Sequence, residues 1–481
     1  MSQVPTITLI RKGKLYRSLD VQEIPKLGTD EVAARVTFAN SGLIRRDLLD
    51  FSATRAALKK FKAADLLRMA QEAGECFLND TLPVGEEEIP QTPEDYVQPL
   101  SATSGLPHSL IRMNMERLTH VFQQVPTIFQ GLSRGLDPEV LDGGYCDQHG
   151  VRLSFTPNAD FLGVVLPSNS PAVNALWAPA IGMKMPVVLK PGREEPWTPW
   201  RLIQAFIKVG APPEAFSFYP ADHDGSSAII RRSRRVMLFG GDATVQEYEN
   251  DPRVEVHGAG RSKILFGDDE IENWRDHIDL MVRSISANSG RSCINASAVI
   301  VPKYGDEIAA ELAERLVDMV PRKADDPTAN LSGFANPLMA EGIDAAITDG
   351  LGEGGARDVS LELRGGSDRY VQLDGMHYMV PTIMRCDSIA HPLANTEFLF
   401  PYASVVEMPQ SEMLGSIGKS LAIAAITNDQ SWIDELIAAP HIERLNVGAM
   451  ATNHVEWDQP HEGNLFDFLY KRRSIQVTNA A

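Results

Sequence analysis

Residues 287–302 read ANSGRSCINASAVIVP. Asn, Ser and Gly form turns, and Ala296 to Val301 favour a strand, so the segment predicts a turn that presents Cys293 rather than burying it in a regular element. A thiol at a turn meets substrate and, once deprotonated, attacks electrophilic carbon. The competing reading is a buried cysteine acting as a small hydrophobe. The segment leaves both open.

Two further stretches carry residues able to hold a phosphorylated ligand. In PVVLKPGREEPWTP, Lys190 ends a strand-like run, and the loop after it brings Glu194 and Glu195, a lysine and carboxylates suited to ribose hydroxyls. Arg193 in the same loop suits a 2'-phosphate, which leaves NAD and NADP both open. In LFGGDATVQEY, Gly240 and Gly241 end a strand, and a helix beginning at Asp242 or Thr244 would offer backbone N–H groups to a pyrophosphate. A solvated loop and a capped turn are the plain alternatives. No GxGxxG follows any predicted strand.

The elements that must position these residues alternate. FLGVVLP (161–167), a helix through NALWAPAIGM, PVVLKP (186–191), a helix through TPWRLIQAFIKVG, FSFYP (216–220), a short helix and RVMLFGG (235–241) predict a parallel, doubly wound sheet, which binds ligands beyond its carboxyl edge. Residues 1–130 read mainly as helices, RAALKKFKAADLLRMAQEAGECFL (55–78) among them, and GGYCDQHGVRLSFTP (143–157) reads as a hairpin turning at Gly150.

At 481 residues, with 43% hydrophobic and 23% charged residues, the chain predicts two or three soluble domains. The net charge of -19 repels phosphate backbones and anionic lipid, which argues against nucleic acid and membrane partners. No uninterrupted apolar run spans a bilayer, and MSQVPTITLIRKGK lacks signal-peptide order, so a cytoplasmic location is expected. Four scattered cysteines, Cys76, Cys146, Cys293 and Cys386, predict reduced thiols and no metal site.

Taken in order, these motifs resemble the aldehyde dehydrogenase superfamily over most of residues 150–470. VVLPSNSP (164–171) is similar to the family's strand-end element, which puts Asn169 at the oxyanion-stabilising asparagine. PVVLKPGREEPWTP is similar to its cofactor strand, with Lys190 as the ribose-binding lysine. FGGD (239–242) resembles the turn under the phosphates, NSGRSC (288–293) the segment carrying the nucleophilic cysteine, and EFLFP (397–401) the element whose glutamate, here Glu397, contacts the nicotinamide ribose.

The resemblance implies an α/β fold of doubly wound parallel sheets in a cofactor domain (1–142 and 158–262) and a catalytic domain (263–455). A small β oligomerisation arm (143–157 and 456–481) would build a homodimer or homotetramer. It implies NAD or NADP as cofactor and a small-molecule aldehyde or acyl-CoA as substrate.

One element departs. Hydrolytic members carry a general-base glutamate where EVHGAGRSK (255–263) places His257, with Glu255 two residues earlier. Loss of that base, the HGAG stretch, FGGD and EFLFP resemble members that pass the acyl group to coenzyme A. Arg291, beside the cysteine, would favour its thiolate or else form a salt bridge on the turn. The alternative is release of free acid with His257 or Glu255 as base, since an imidazole of ordinary pKa near 6.5 suits proton abstraction. A third reading, an inactive binding or structural subunit, is opposed by the joint presence of Asn169, Lys190, Cys293 and Glu397. Trp177 and Trp457 are candidate walls of the substrate tunnel; PHEGNLFDFLY (460–470) has no assigned use.

Overall fold

The computed structural model describes residues 4–476. Residues 1–3 and 477–481, which fall in the expected cofactor domain and arm, lie outside the described residues. The chain divides into two compact units.

The first unit comprises residues up to Thr103, Ile111–His257 and the chain from Glu456. Its main sheet runs in the order Val254–His257, Val236–Phe239, Leu162–Val165, Val187–Lys190, Phe216–Phe218, Leu9–Arg11, Lys14–Tyr16. The first five strands are mutually parallel; Leu9–Arg11 pairs antiparallel to Phe216–Phe218, and Lys14–Tyr16 antiparallel to Leu9–Arg11. Short apolar runs such as VVLK and VMLF suit strands covered on both faces. Val188 joins the cluster of Ile44, Phe161, Tyr219 and Ile229 on one face. On the other, Trp200 and Phe206 of the Trp197–Lys208 helix meet Phe218 and Phe216.

The N-terminal residues differ from the expected helical layer. Thr6 to Thr37 form strands, because β-branched runs such as TITLI and ARVT outweigh the helix formers between them. Helices begin at Ser41, and residues 55–78 form two helices, Ser52–Lys59 and Ala63–Asn79, interrupted where Lys62 is extended.

Tyr145–Gln148 and Val151–Pro157 form the expected hairpin, with His149 and Gly150 both at positive φ in the two-residue turn. The C-terminal strand Tyr470–Arg473 pairs with it, Tyr470 opposite Pro157 and Arg473 opposite Ser154.

The second unit comprises Ser104–Leu110 and Gly258–Val455. Its sheet runs Ala356–Asp358, Thr382–Cys386, Tyr402–Glu407, Ala296–Val301, Ser262–Phe266, Ser420–Ile426, Ile442–Val447, all parallel except the first. Alternation splits its core. Ile264, Val299 and Val405 pack beneath Ile308 and Leu312, whereas Leu265, Ala298 and Ile300 face Met413, Trp432 and Leu436. Burying each such side chain contributes roughly 1.5–3 kcal/mol, so the central strands form a rigid base for the loops entering them.

Candidate active site

Cys293 lies at the amino end of Ala296–Val301, in a turn after the short 3-10 segment Ala287–Gly290. Asn288, Ser289 and Gly290 all adopt left-handed backbone, at φ 53°, 59° and 67°. Two non-glycine residues there are costly, and side-chain bonds hold them. Asn295 accepts from the Ser292 N–H at 2.9 Å and donates to the carbonyls of Ser284 and Ala287 at 3.0 and 3.1 Å. The Ser289 hydroxyl accepts from the Ser332 N–H at 2.8 Å. At Gly290 any Cβ would collide with the Phe400–Pro401 backbone, so EFLFP packs directly on the cysteine loop.

The backbone of Cys293 is fixed from the neighbouring strand. The Ser262 hydroxyl donates to the Cys293 carbonyl at 2.8 Å, and a Cβ at Gly260 would strike that carbonyl. The cysteine itself is partly exposed, whereas Cys386 is buried and its thiol is pushed up to about 12 by burial.

Glu397 accepts from the Arg261 N–H at 2.7 Å, and burial pushes its carboxyl up to about 7. Beside it, fully buried Lys263 donates to the Arg261 carbonyl at 2.6 Å and the Ser420 hydroxyl at 2.9 Å, and burial lowers its ammonium to about 7. Composition and pattern gave no reason to single out Lys263, since a strand-end lysine ordinarily reads as solvated.

Arg291 is buried. Its guanidinium donates to the Ser104 carbonyl at 3.4 Å and to the Gly333 carbonyl, and stacks 5.3 Å from the Phe334 ring centroid. Half-buried Arg444, on the Ile442–Val447 strand and not legible as a site residue in the sequence, has its pKa lowered by burial, which an attraction to Cys293 opposes.

In the first unit, register brings Lys190 beside Val165 at the carboxyl edge, with Phe239 beside His257 farther along. Lys190 sits in a cleft shared with Gly192, Arg193, Pro220 and Ala221. Its ammonium has no carboxylate within ion-pair distance among the described residues, and burial lowers its pKa while Glu194 and Asp222 oppose the shift. A largely desolvated donor at a strand end fits a ligand that brings hydroxyl oxygens. Glu194 stays at the cleft's loop, partly exposed.

Glu195 is a correction: it does not face that cleft. It is fully buried and caps the Trp197–Lys208 helix, accepting from the Thr198 N–H at 2.9 Å, and burial pushes its carboxyl up to about 8. Gly240 and Gly241 do lead into a helix, Asp242–Tyr248, and the space beside Gly241 is open for at least 4 Å. Asn169 lies four residues beyond the Leu162–Val165 strand, immediately before Ser170, which caps the next 3-10 turn.

His257 ends the edge strand and is buried, stacked on Phe239 with ring centroids 4.6 Å apart. Its Nδ1 lies 2.6 Å from Glu462 Oε2 and its Nε2 3.2 Å from Glu255 Oε1. Burial alone would lower the imidazole; the two carboxylates outweigh it and push it up to about 9. His257 is therefore an imidazolium near neutrality. Glu462 belongs to the PHEGN stretch, and nothing in the local pattern signalled that this loop returns to the edge strand.

Trp177 is fully buried and donates to Asn174 at 2.8 Å, which makes it a packing residue, whereas Trp457 is half-buried and donates to His120 at 3.0 Å. Among the described residues no group of His, Cys, Asp and Glu is arranged to hold a metal ion, and no helix is long and apolar enough to cross a membrane.

The sequence profile of the aldehyde dehydrogenase family matches residues 85–455. The chain belongs to that family. Among curated relatives of this aldehyde dehydrogenase family member, 3-succinoylsemialdehyde-pyridine dehydrogenase of a Pseudomonas species is 26% identical over 52% of this chain and 53% of the relative. Malonate-semialdehyde dehydrogenase 1 of Geobacillus kaustophilus is 25% identical over 54% of each. The chain spans about half the length of the curated relatives it matches. Structural similarity extends further. An indole-3-acetaldehyde dehydrogenase in complex with NAD+ superposes at TM-score 0.79 and 18% identity, covering 98% of this chain and 97% of the other. The NAD+ complex of a Bacillus cereus aldehyde dehydrogenase gives 0.77 and 14%, covering 99% and 97%. These establish the aldehyde dehydrogenase fold.

Proposed function

We propose that this family member oxidises an aldehyde with NAD or NADP through a thioester on Cys293 and passes the acyl group to coenzyme A. The observation that carries the choice of acceptor is the state of His257. Where hydrolytic members hold a base, this chain holds an imidazole whose protonated form is favoured by the neighbouring Glu255 and Glu462 carboxylates, and a protonated ring has no lone pair for a proton from water.

The Cys293 thiolate adds to the aldehyde carbon, forming the C–S bond, and Asn169 is the oxyanion donor by its resemblance to the family's strand-end asparagine. A bound nicotinamide supplies the hydride acceptor. Lys190 and Glu194 are the candidate ribose contacts, Glu397 another by resemblance, and Gly240 and Gly241 the candidate pyrophosphate turn. The acyl group then remains on Cys293. A thiol is a few per cent ionised near neutral pH, whereas water is not, so a thiol can cleave the thioester without a strong protein base. Its sulfur takes the acyl carbon, the Cys293 C–S bond breaks, and the thiol proton goes to solvent. The same exchange runs in reverse from an acyl-CoA.

The names of the relatives support an aldehyde as substrate. The three-stranded sheet with Tyr145 and Val151 exposed is the candidate arm for a homo-oligomer. The test is whether release of the acyl group from Cys293 requires coenzyme A.

A further inference from the structure

Arg261 sits in the left-handed region at φ 44°, a conformation that a residue with a side chain keeps only where its surroundings enforce it. Both of its backbone groups are held. Glu397 accepts from its N–H at 2.7 Å, and the Lys263 ammonium donates to its carbonyl at 2.6 Å and to the Ser420 hydroxyl at 2.9 Å. Lys263 is fully buried on the Ser262–Phe266 strand, followed there by Ile264, Leu265 and Phe266. Burying an ammonium is costly, and packing alone would be served better by an apolar side chain at that position. The residues on either side of Arg261 bear on the backbone of Cys293. A Cβ at Gly260 would fall 2.0 Å from the Cys293 carbonyl oxygen, and the Ser262 hydroxyl donates to that same oxygen at 2.8 Å. The neighbouring strand ties both down: the Leu421 N–H donates to the Gly260 carbonyl at 2.7 Å, and the Ala422 N–H to the Ser262 hydroxyl at 3.1 Å.

We propose that Lys263 is a positioning residue for the Cys293 nucleophile: with Glu397 it clamps Arg261 in the left-handed conformation, and the turn so fixed sets the backbone of the cysteine. The proposal rests on the reading of Cys293 as the nucleophile and adds what aims it. Without the ammonium the Arg261 carbonyl loses its donor, and the residue relaxes toward negative φ. That rotation moves Gly260 and Ser262, the two residues set against the Cys293 carbonyl, and with them the sulfur relative to a bound aldehyde carbon. A misplacement of about 1 Å costs on the order of a hundredfold in rate. A small reagent that approaches the thiol from solvent needs no such alignment, so aim and intrinsic reactivity separate.

The experiment measures two rates on the full-length protein at one pH. The first is formation of reduced cofactor in a single turnover, by rapid mixing without coenzyme A, using the aldehyde turned over fastest in a panel of aliphatic and aromatic aldehydes; its outcome does not depend on what later takes the acyl group. The second is alkylation of the Cys293 peptide by iodoacetamide, followed by mass. Lys263→Met should slow the single turnover by about tenfold or more while alkylation stays within about threefold of wild type. Arg261→Gly, which adopts the left-handed conformation without strain, should recover most of that loss in the Lys263→Met background. An unchanged single turnover in folded Lys263→Met overturns the proposal. So does a loss that Arg261→Gly leaves in place, or alkylation that falls as far as turnover, which would make the lysine a charge acting on the thiol. Should Lys263→Met not fold, Arg261→Val tests the same backbone position, since a β-branched residue there is strained; it should slow the single turnover, and an unchanged rate overturns the proposal. Failure of the nucleophile assignment is separate, since it would show as turnover surviving Cys293→Ala.

Discussion

Nδ1 of His257 lies 2.6 Å from Oε2 of Glu462, across 205 residues of sequence. With Glu255 Oε1 3.2 Å from the other ring nitrogen, the two carboxylates favour the protonated imidazole at the expected base position. It also gives the PHEGN loop a role, because that loop delivers the second carboxylate.

The clamp has a pH signature. Its imidazole pKa is raised from 6.5 to about 9 on folding. Above the unfolded value the native state binds more protons than the unfolded chain, so this stabilisation is complete below pH 6.5 and is lost as pH rises through 9. The melting temperature should fall between those limits more steeply in the wild type than in Glu462→Gln. Equal slopes would mean that His257 is not held as a cation.

Cys293→Ala should reduce aldehyde turnover by about a thousandfold or more, as expected when a covalent nucleophile is removed. Its melting temperature should stay within a degree or two of wild type, because the thiol is partly exposed and the loop is held by Asn295 and Ser262 instead. A large loss of stability with activity retained would make Cys293 a structural thiol.

Lys190 and Glu195 should separate cofactor binding from folding. Lys190→Ala should raise the KM for NAD about tenfold with little change in melting temperature, the cost of one charge-assisted hydrogen bond. Glu195→Ala should do the reverse: it removes the cap of the Trp197–Lys208 helix, worth about 1 kcal/mol or more at a buried position, and leaves the KM for NAD unchanged. Calorimetry and steady-state kinetics on both variants check this. The opposite assignment of effects would return Glu195 to the cofactor.

Where local pattern and tertiary role coincide, the sequence was readable. The parallel strands around Val164, Val188 and Met237 follow from apolar runs between turn residues, and the cysteine turn follows from Asn288 to Gly290. The hairpin followed from its turn at Gly150. What could not be read depends on residues far apart in the chain. Glu195 and Glu194 are adjacent and alike, and only the fold decides that one caps a helix while the other borders the cleft. Glu462 reaches His257 through a long return of the chain. The N-terminal strands were missed because helix formers such as Lys, Glu and Ala lie among the β-branched residues that pair in the sheet.

The central claim is that a thiol, not water, releases the acyl group. The measurement is NAD and NADP reduction by the purified protein with a panel of aldehydes, in the presence and absence of coenzyme A, with the product identified by mass. The account predicts sustained turnover only with coenzyme A and an acyl-CoA thioester as product. Sustained turnover indifferent to coenzyme A, with free carboxylic acid as product, would contradict it.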